Sequence, residues 1–146
     1  MAIIENRDII VVGQQPWDTS IGSNCKDIAL EFSKHNRVLY INAPLDRRTK
    51  LQQADTEGVK KRVRVIRGEE DGLEEIAPNF WVFYPDVINE SINWIKPTAV
   101  FRILNKINNK RFAKSIKKAI QRLNFRNFIV FNDGDMFRSY HLKGLL

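Results

Sequence analysis

The sequence predicts one α/β domain built on a Rossmann-like, mostly parallel sheet with helices on both of its faces. Three observations lead there. Ile9-Ile10-Val11-Val12 is an unbroken β-branched run closed by Gly13, the pattern of a strand covered on both sides. A second run, Val38-Leu39-Tyr40-Ile41, follows one amphipathic helix later, giving a strand, helix, strand unit whose crossover is expected to be right-handed. Strand-like and helix-like segments then continue to alternate, as in a doubly wound sheet. The size agrees, because 146 residues of which 43% are hydrophobic close one core and not two.

After the first strand a polar loop runs from Gln14 to Ser20. Ile21-Gly22-Ser23-Asn24 opens a helix reaching about His35, with Ser20 or Ser23 as its cap. Ile28, Ala29 and Phe32 form its apolar stripe, and Asn36 is expected as a left-handed stop. Pro44 ends the second strand. Leu45 to Val59 shows little periodicity and reads as a mobile polar connection, Val63-Arg64-Val65-Ile66-Arg67 as a short strand, and Gly68 to Glu75 as an acidic loop. Phe80-Trp81-Val82-Phe83-Tyr84, bounded by Pro78 and Pro85, is a firm strand. From Pro97 to about Leu123 the apolar spacing is helical, but its register slips at Asn108-Asn109, which predicts two helices or one bent helix. Phe128 to Asn132 reads as the last strand, and Met136 to Leu142 as the start of another helix. The stop at Leu146, soon after a buried-looking strand, leads us to expect a fragment of a longer protein.

A net charge of +7 and a pI of about 9.7 point to an anionic partner, which charge alone does not identify. The longest apolar run near the N-terminus is far short of the roughly 20 residues of a membrane span, and it has no signal-peptide cleavage pattern, so a cytoplasmic location is expected. Cys25 is the only cysteine and can form neither an internal disulfide nor a zinc pair; His35 and His141 have no metal spacing.

In an open parallel sheet, ligands bind beyond the carboxyl ends of the strands, so the loops leaving those ends are the places to search. Gly13 is followed by Gln14 and Gln15, and no dinucleotide fingerprint is present. Gly22 and Ser23 stand at a helix N-terminus, where free N–H groups suit a phosphate or where Ser23 simply caps. Trp17 can stack on a sugar face or anchor its loop, and Asp18 can accept a hydroxyl or a proton or act as a cap. Arg47 offers a guanidinium to an anion, and Asp133 adds a carboxylate or belongs to an Asp133-Gly134-Asp135 turn. Lys106, Lys110, Arg111, Lys114, Lys117, Lys118 and Arg122 make one helix strongly cationic. That suits an anionic lipid surface or simple solubility; without interleaved aromatics it argues against single-stranded nucleic acid.

The stretch "DIIVVGQQPWDTSIGSNCKDIALEFSKHNRVLYINAPLDRRT" resembles the opening of bacterial GT-B glycosyltransferases of the polysaccharide or teichuronic-acid type. The shared features are a first strand, a W-D loop, a helix of the form N-x-x-x-I-A-x-E-F-x-K and a strand of the form R-V-L-Y-I-N-x-P. The resemblance covers Asp8 to Thr49 and extends more loosely to "F-W-V-F-Y-P" and "F-I-V-F-N-D". It implies an acceptor-side N-terminal domain, with a sugar nucleotide held mainly by a second domain outside this sequence and no obligatory metal or cofactor. It also implies a catalytic role for Asp18, substrate contacts from Trp17, Gly22 and Ser23, a sugar acceptor that is lipid-linked in many such pathways, and a cationic helix lying on the cytoplasmic leaflet. The competing expectation is a non-catalytic basic α/β module for nucleic acid or an anionic membrane.

Overall fold

The computed structural model describes residues 3–146. Its elements are β1 (Asp8–Val12), α1 (Asn24–Ser33), β2 (Arg37–Ile41), β3 (Leu45–Asp46), α2 (Arg47–Gln52), α3 (Glu57–Ile66) and β4 (Leu73–Ala77), then β5 (Phe80–Phe83), β6 (Ile88–Asn89), α4 (Thr98–Leu123), β7 (Ile129–Asn132) and α5 (Leu142–Leu145). The class is α/β. Five strands form one sheet in the order β4-β5-β2-β1-β7, and β3 pairs with β6 beside it. β1 runs parallel to β2 and β7, and β2 parallel to β5. β4 is antiparallel to β5, which makes the sheet mixed and corrects the expectation of a loop there.

The physical reason is the turn. Pro78 fixes one backbone angle, and Asn79 takes a left-handed φ of 63°, so the chain doubles back and Ala77 pairs with Phe80. The acidic segment before it tolerates being a strand because it lies on a sheet edge, where Glu side chains reach solvent.

Two further expectations are overturned. Residues 63–67 are the end of α3 and not a strand: Thr56 caps the helix by accepting from the Val59 N–H, and Val59, Arg62 and Val65 turn inward at helical spacing. The stretch after Pro44 is not structureless, since Asp46 ends β3 and caps α2 through the Thr49 N–H at 2.9 Å. Asn36 is not left-handed; its buried side chain instead donates to the Ile4 and Phe32 carbonyls and accepts from the Arg7 N–H. α4 is a single helix of 26 residues, stopped by Asn124 in the left-handed region.

The strands alternate their side chains between two apolar layers. Ile9, Val11, Val38, Tyr40, Phe80 and Val82 pack with Cys25 and Ala29 of α1 and Val65 of α3. Ile10, Val12, Leu39 and Ile41 face Phe112, Ala113, Ile116 and Ala119 of α4 and Leu142 of α5. Helices therefore cover both faces of the sheet. At the amino ends of the strands, the Asp8 carboxylate accepts from the Arg37 guanidinium at 2.8 Å and from the Arg126 N–H at 2.6 Å, tying β1, β2 and the entry to β7 together. The carboxyl ends of β1, β2, β5 and β7 consequently open on one rim.

Candidate functional site

From β1 the chain crosses to β2 on one side, and it returns to β7 on the other, so the strand order reverses between β1 and β7. Loops leaving adjacent strands in opposite directions leave a crevice at such a reversal. Two adjoining clefts lie on this rim, sharing Gln14, Pro44, Asp46, Thr49 and Arg138 as common walls.

The smaller cleft, about 430 Å³, contains Asp18. Its carboxylate accepts from both terminal nitrogens of Arg62, at 3.0 and 3.1 Å, and Arg62 is itself held by the Gly58 carbonyl. Burial pushes the Asp18 carboxyl up, but the hydrogen bonds and charge of Arg62 outweigh it and hold the group below its ordinary value. Asp18 is therefore an ionised hydrogen-bond acceptor of low basicity. Trp17 stands behind it: its backbone N–H donates to Asn42 Oδ1 at 2.8 Å, and its indole packs against Tyr40 and Phe80 with centroids about 5 Å away. The tyrosine also explains Gly13, where any side chain would collide with the Tyr40 hydroxyl.

The larger cleft, about 570 Å³, is walled by loops that follow all four parallel strands and by the first half of α4. Its carboxylates are already committed. Asp46 accepts from the Thr49 backbone and hydroxyl and from Ser91 Oγ. Glu90 accepts from Arg47 at 2.7 Å and Arg111 at 3.0 Å, and these two hydrogen bonds lower its pKa. Arg138 pairs with Asp135 at 3.1 Å, which leaves the Arg48 guanidinium and amide chemistry from Gln14, Gln52, Asn89, Asn93, Asn105 and Asn108. Asn108 clamps the Glu90 backbone, accepting its N–H at 2.8 Å and donating to its C=O at 2.9 Å. Asn89 is only 4% exposed, and its Oδ1 is the one buried side-chain polar atom among the described residues that has no hydrogen-bond partner. An unpaired buried amide oxygen is costly, and only a donor can satisfy it.

The other expected residues are spread around this rim. Ser23 caps α1 by accepting from the Lys26 N–H, while Lys26 Nζ folds back onto the Thr19 and Ile21 carbonyls at 3.0 Å; exposed Gly22 lies beside them. Arg47 spends its guanidinium on Glu90 rather than lining either cleft. Asp133 lies against Cys25, whose thiol is pushed up to about 11 by burial first and by the Asp133 charge second. Gly134 has a left-handed φ of 72°, and Asp135 accepts from the Phe137 and Arg138 N–H groups, so the Asp-Gly-Asp segment is a turn that also shapes the larger cleft.

Sequence reasoning passed over Asn89, Asn105, Asn108 and Arg62. The register slip at Asn108-Asn109 was the available signal for the first group, because helical spacing puts Asn105 and Asn108 on one side of α4. Arg62 was hidden inside a segment read as leading into a strand. No group of three or more His, Cys, Asp or Glu suited to a metal ion is found among the described residues, and none of their helices is long and apolar enough to cross a membrane. Comparison with protein-family models, curated proteins and solved structures returns no match for this chain.

Proposed function

We propose that the chain is the Rossmann-like, acceptor-side domain of a cytoplasmic glycosyltransferase, which moves a sugar from a nucleotide-sugar donor to an acceptor in cell-envelope polysaccharide synthesis. The observation that carries the reading is the larger rim cleft at the β1/β7 reversal, lined by six side-chain amides, with Arg48 and Arg138 set against Asp46, Glu90 and Asp135 and with Asn89, whose Oδ1 has no partner, buried in its wall. Neutral side chains that donate and accept fit a hydroxyl-rich ligand better than a nucleic-acid backbone or a free anion, which bring acceptors alone.

In this reading the larger cleft holds the acceptor. Asp18, kept ionised by Arg62, orients the attacking hydroxyl from the adjoining cleft, with Trp17 as the packed support of its loop. Gly22 and Ser23 at the start of α1 approach the donor phosphates, and Arg47 and Asp133 hold the loops around the acceptor. The donor is bound mainly by a second domain outside this sequence, and cations and helix dipoles, without an obligatory metal, stabilise the diphosphate of the leaving nucleoside diphosphate.

Transfer is the test. The protein carrying this domain, incubated with UDP-, GDP- and dTDP-sugars and a membrane fraction as acceptor source, is expected to release nucleoside diphosphate and label a glycan. Asp18→Asn should reduce turnover by about a hundredfold or more. Absence of diphosphate release across the donor panel would remove the reading.

A further inference from the structure

The opposite end of the sheet carries a recess of different character. It has a volume of about 640 Å³ and is lined by the guanidinium groups of Arg7, Arg37 and Arg126, by Asn6 and Asn127, and by one carboxylate, Asp8. The five residues of β1, rising about 3.3 Å each, set it about 16 Å from the rim clefts.

Ion pairing accounts for only one of the three arginines. Arg37 gives Nε and Nη2 to the two oxygens of Asp8 at 2.8 Å, caps the end of α4 by donating to the Leu123 carbonyl at 3.1 Å, and lies over the Phe125 ring at 4.7 Å. Asp8 is thereby neutralised, and its Oδ2 also accepts the Arg126 backbone N–H. Arg7 and Arg126 are exposed, and neither forms an ion pair among the described residues. Glu5 lines the adjoining recess and not this one.

Both free guanidinium groups are held in place. Pairing of β1 with β7, Ile9 opposite Ile129, brings Arg7 beside Asn127, whose carbonyl accepts from Arg7 Nη2 at 3.1 Å. The Arg7 backbone is fixed on both sides, its N–H donating to Asn36 Oδ1 and its C=O accepting from the Arg37 N–H, each at 3.0 Å. Arg126 Nε donates to Asn124 Oδ1 at 3.1 Å. One bond apiece leaves the other N–H donors of these two side chains without a partner among the described residues. Like charges sharing a recess repel, and an oxyanion between them removes the repulsion and accepts the donors. The charge count selects the anion. A phosphate monoester brings about two negative charges and three strong acceptor oxygens, whereas a carboxylate or a phosphodiester brings one charge.

We infer that this recess binds a small phosphate monoester, with Arg7 and Arg126 gripping the phosphate, Arg37 holding Asp8 out of its way, and Asn6 and Asn127 flanking the body of the ligand. The volume suits a sugar phosphate or a mononucleotide. The inference rests on the placement of these arginines and needs no assumption about sugar transfer at the rim.

The experiment is an NMR titration of the isotopically labelled chain with inorganic phosphate, ribose 5-phosphate and ribose, at constant ionic strength so that screening stays fixed. Both phosphates are expected to shift the Nε–H signals of Arg7 and Arg126 in a saturable way, and ribose to leave them in place. Arg126→Gln should weaken phosphate binding by about tenfold, and Arg7→Gln with Arg126→Gln by about a hundredfold. Lys114→Gln with Lys117→Gln, which removes the same charge from an exposed face of α4, should leave it unchanged. Arg126→Gln changes an exposed side chain whose only hydrogen bond within the chain is to Asn124, so it keeps the fold and the result stays readable. No saturable shift by about 20 mM phosphate, unchanged binding by the arginine variants, or an equal loss in the lysine variant would each overturn the inference. Phosphate binding here without saccharide binding at the rim would count against the transferase reading alone, and saccharide binding without phosphate binding against this inference alone.

Discussion

From Phe112 to Leu123, α4 turns Phe112, Ile116 and Ala119 inward and Lys114, Lys117 and Lys118 outward; from Thr98 to Asn109 the same helix turns Asn105, Asn108 and Asn109 inward and Val100, Ile103 and Ile107 outward. The second half follows the ordinary rule for a helix on a sheet, since its inner side meets Ile10, Leu39 and Ile41. The first half has passed beyond the sheet. Its inner side overlooks a polar cleft, and water or a ligand there rewards amides over apolar groups. The difference teaches that burial and core membership are separate properties: Asn109 is as inaccessible as Ile116, yet it is held by hydrogen bonds to Asn105 and Phe137 rather than by packing.

Stability measurements can break this contrast directly. Phe112→Ala in the second half should cost about 3–5 kcal/mol in urea unfolding, because it empties a site in the closed core. Ile103→Ala in the first half should change stability by about 0.5 kcal/mol or less. Equal losses would mean that the outer face of the first half is covered. Asn108→Ala should fall between the two, at about 1–3 kcal/mol, since both backbone groups of Glu90 lose their partner.

Asn89 sharpens the comparison further, because its amide has an unsatisfied atom. Asn89→Leu should leave stability unchanged or raise it by about 1 kcal/mol, while weakening saccharide binding. A clear loss of stability would indicate that the amide is satisfied within the fold.

The smallest effect concerns the far end of α4, where Arg122 pairs with Asp71 at 2.7 and 2.8 Å. The Arg122 hydrogen bond, helped by the Leu73 N–H, holds the Asp71 carboxyl down at about 2. A depressed carboxylate stabilises the fold above its unfolded pKa of about 3.9, and that contribution fades as pH falls through the folded value. The pair is half exposed, so Asp71→Asn should cost about 1 kcal/mol or less at neutral pH, a small fraction of that at pH 2 and nothing well below it. Urea midpoints of the two proteins at several pH values measure it.

Much of the frame was legible before any coordinates. β1, β2 and β5 are continuous apolar runs, and burial on both sides dictates such runs whatever the neighbours are; β7 is as apolar but stands half-exposed at the other sheet edge. The edge element β4 was not legible, because an exposed edge places no demand for apolar residues on Glu74 and Glu75. Residues 63–67 misled because Val63, Val65 and Ile66 are β-branched, a local preference that the Thr56 cap and the packing of Val59 and Val65 override. At the rim, the Trp17-Asp18 loop was visible because it directly follows a strand. The partners that define its chemistry were not, since Arg62 and the asparagines of α4 join it only through long-range packing.

The most direct measurement is an amide NMR titration of the isotopically labelled chain with neutral oligosaccharides. If the cleft is an acceptor site, the side-chain amide signals of Asn89, Asn105 and Asn108 will shift together in a saturable way, while signals from Lys114 to Lys118 stay in place. Saccharides that move none of these amides, or shifts confined to the lysine half on adding RNA, would contradict the account.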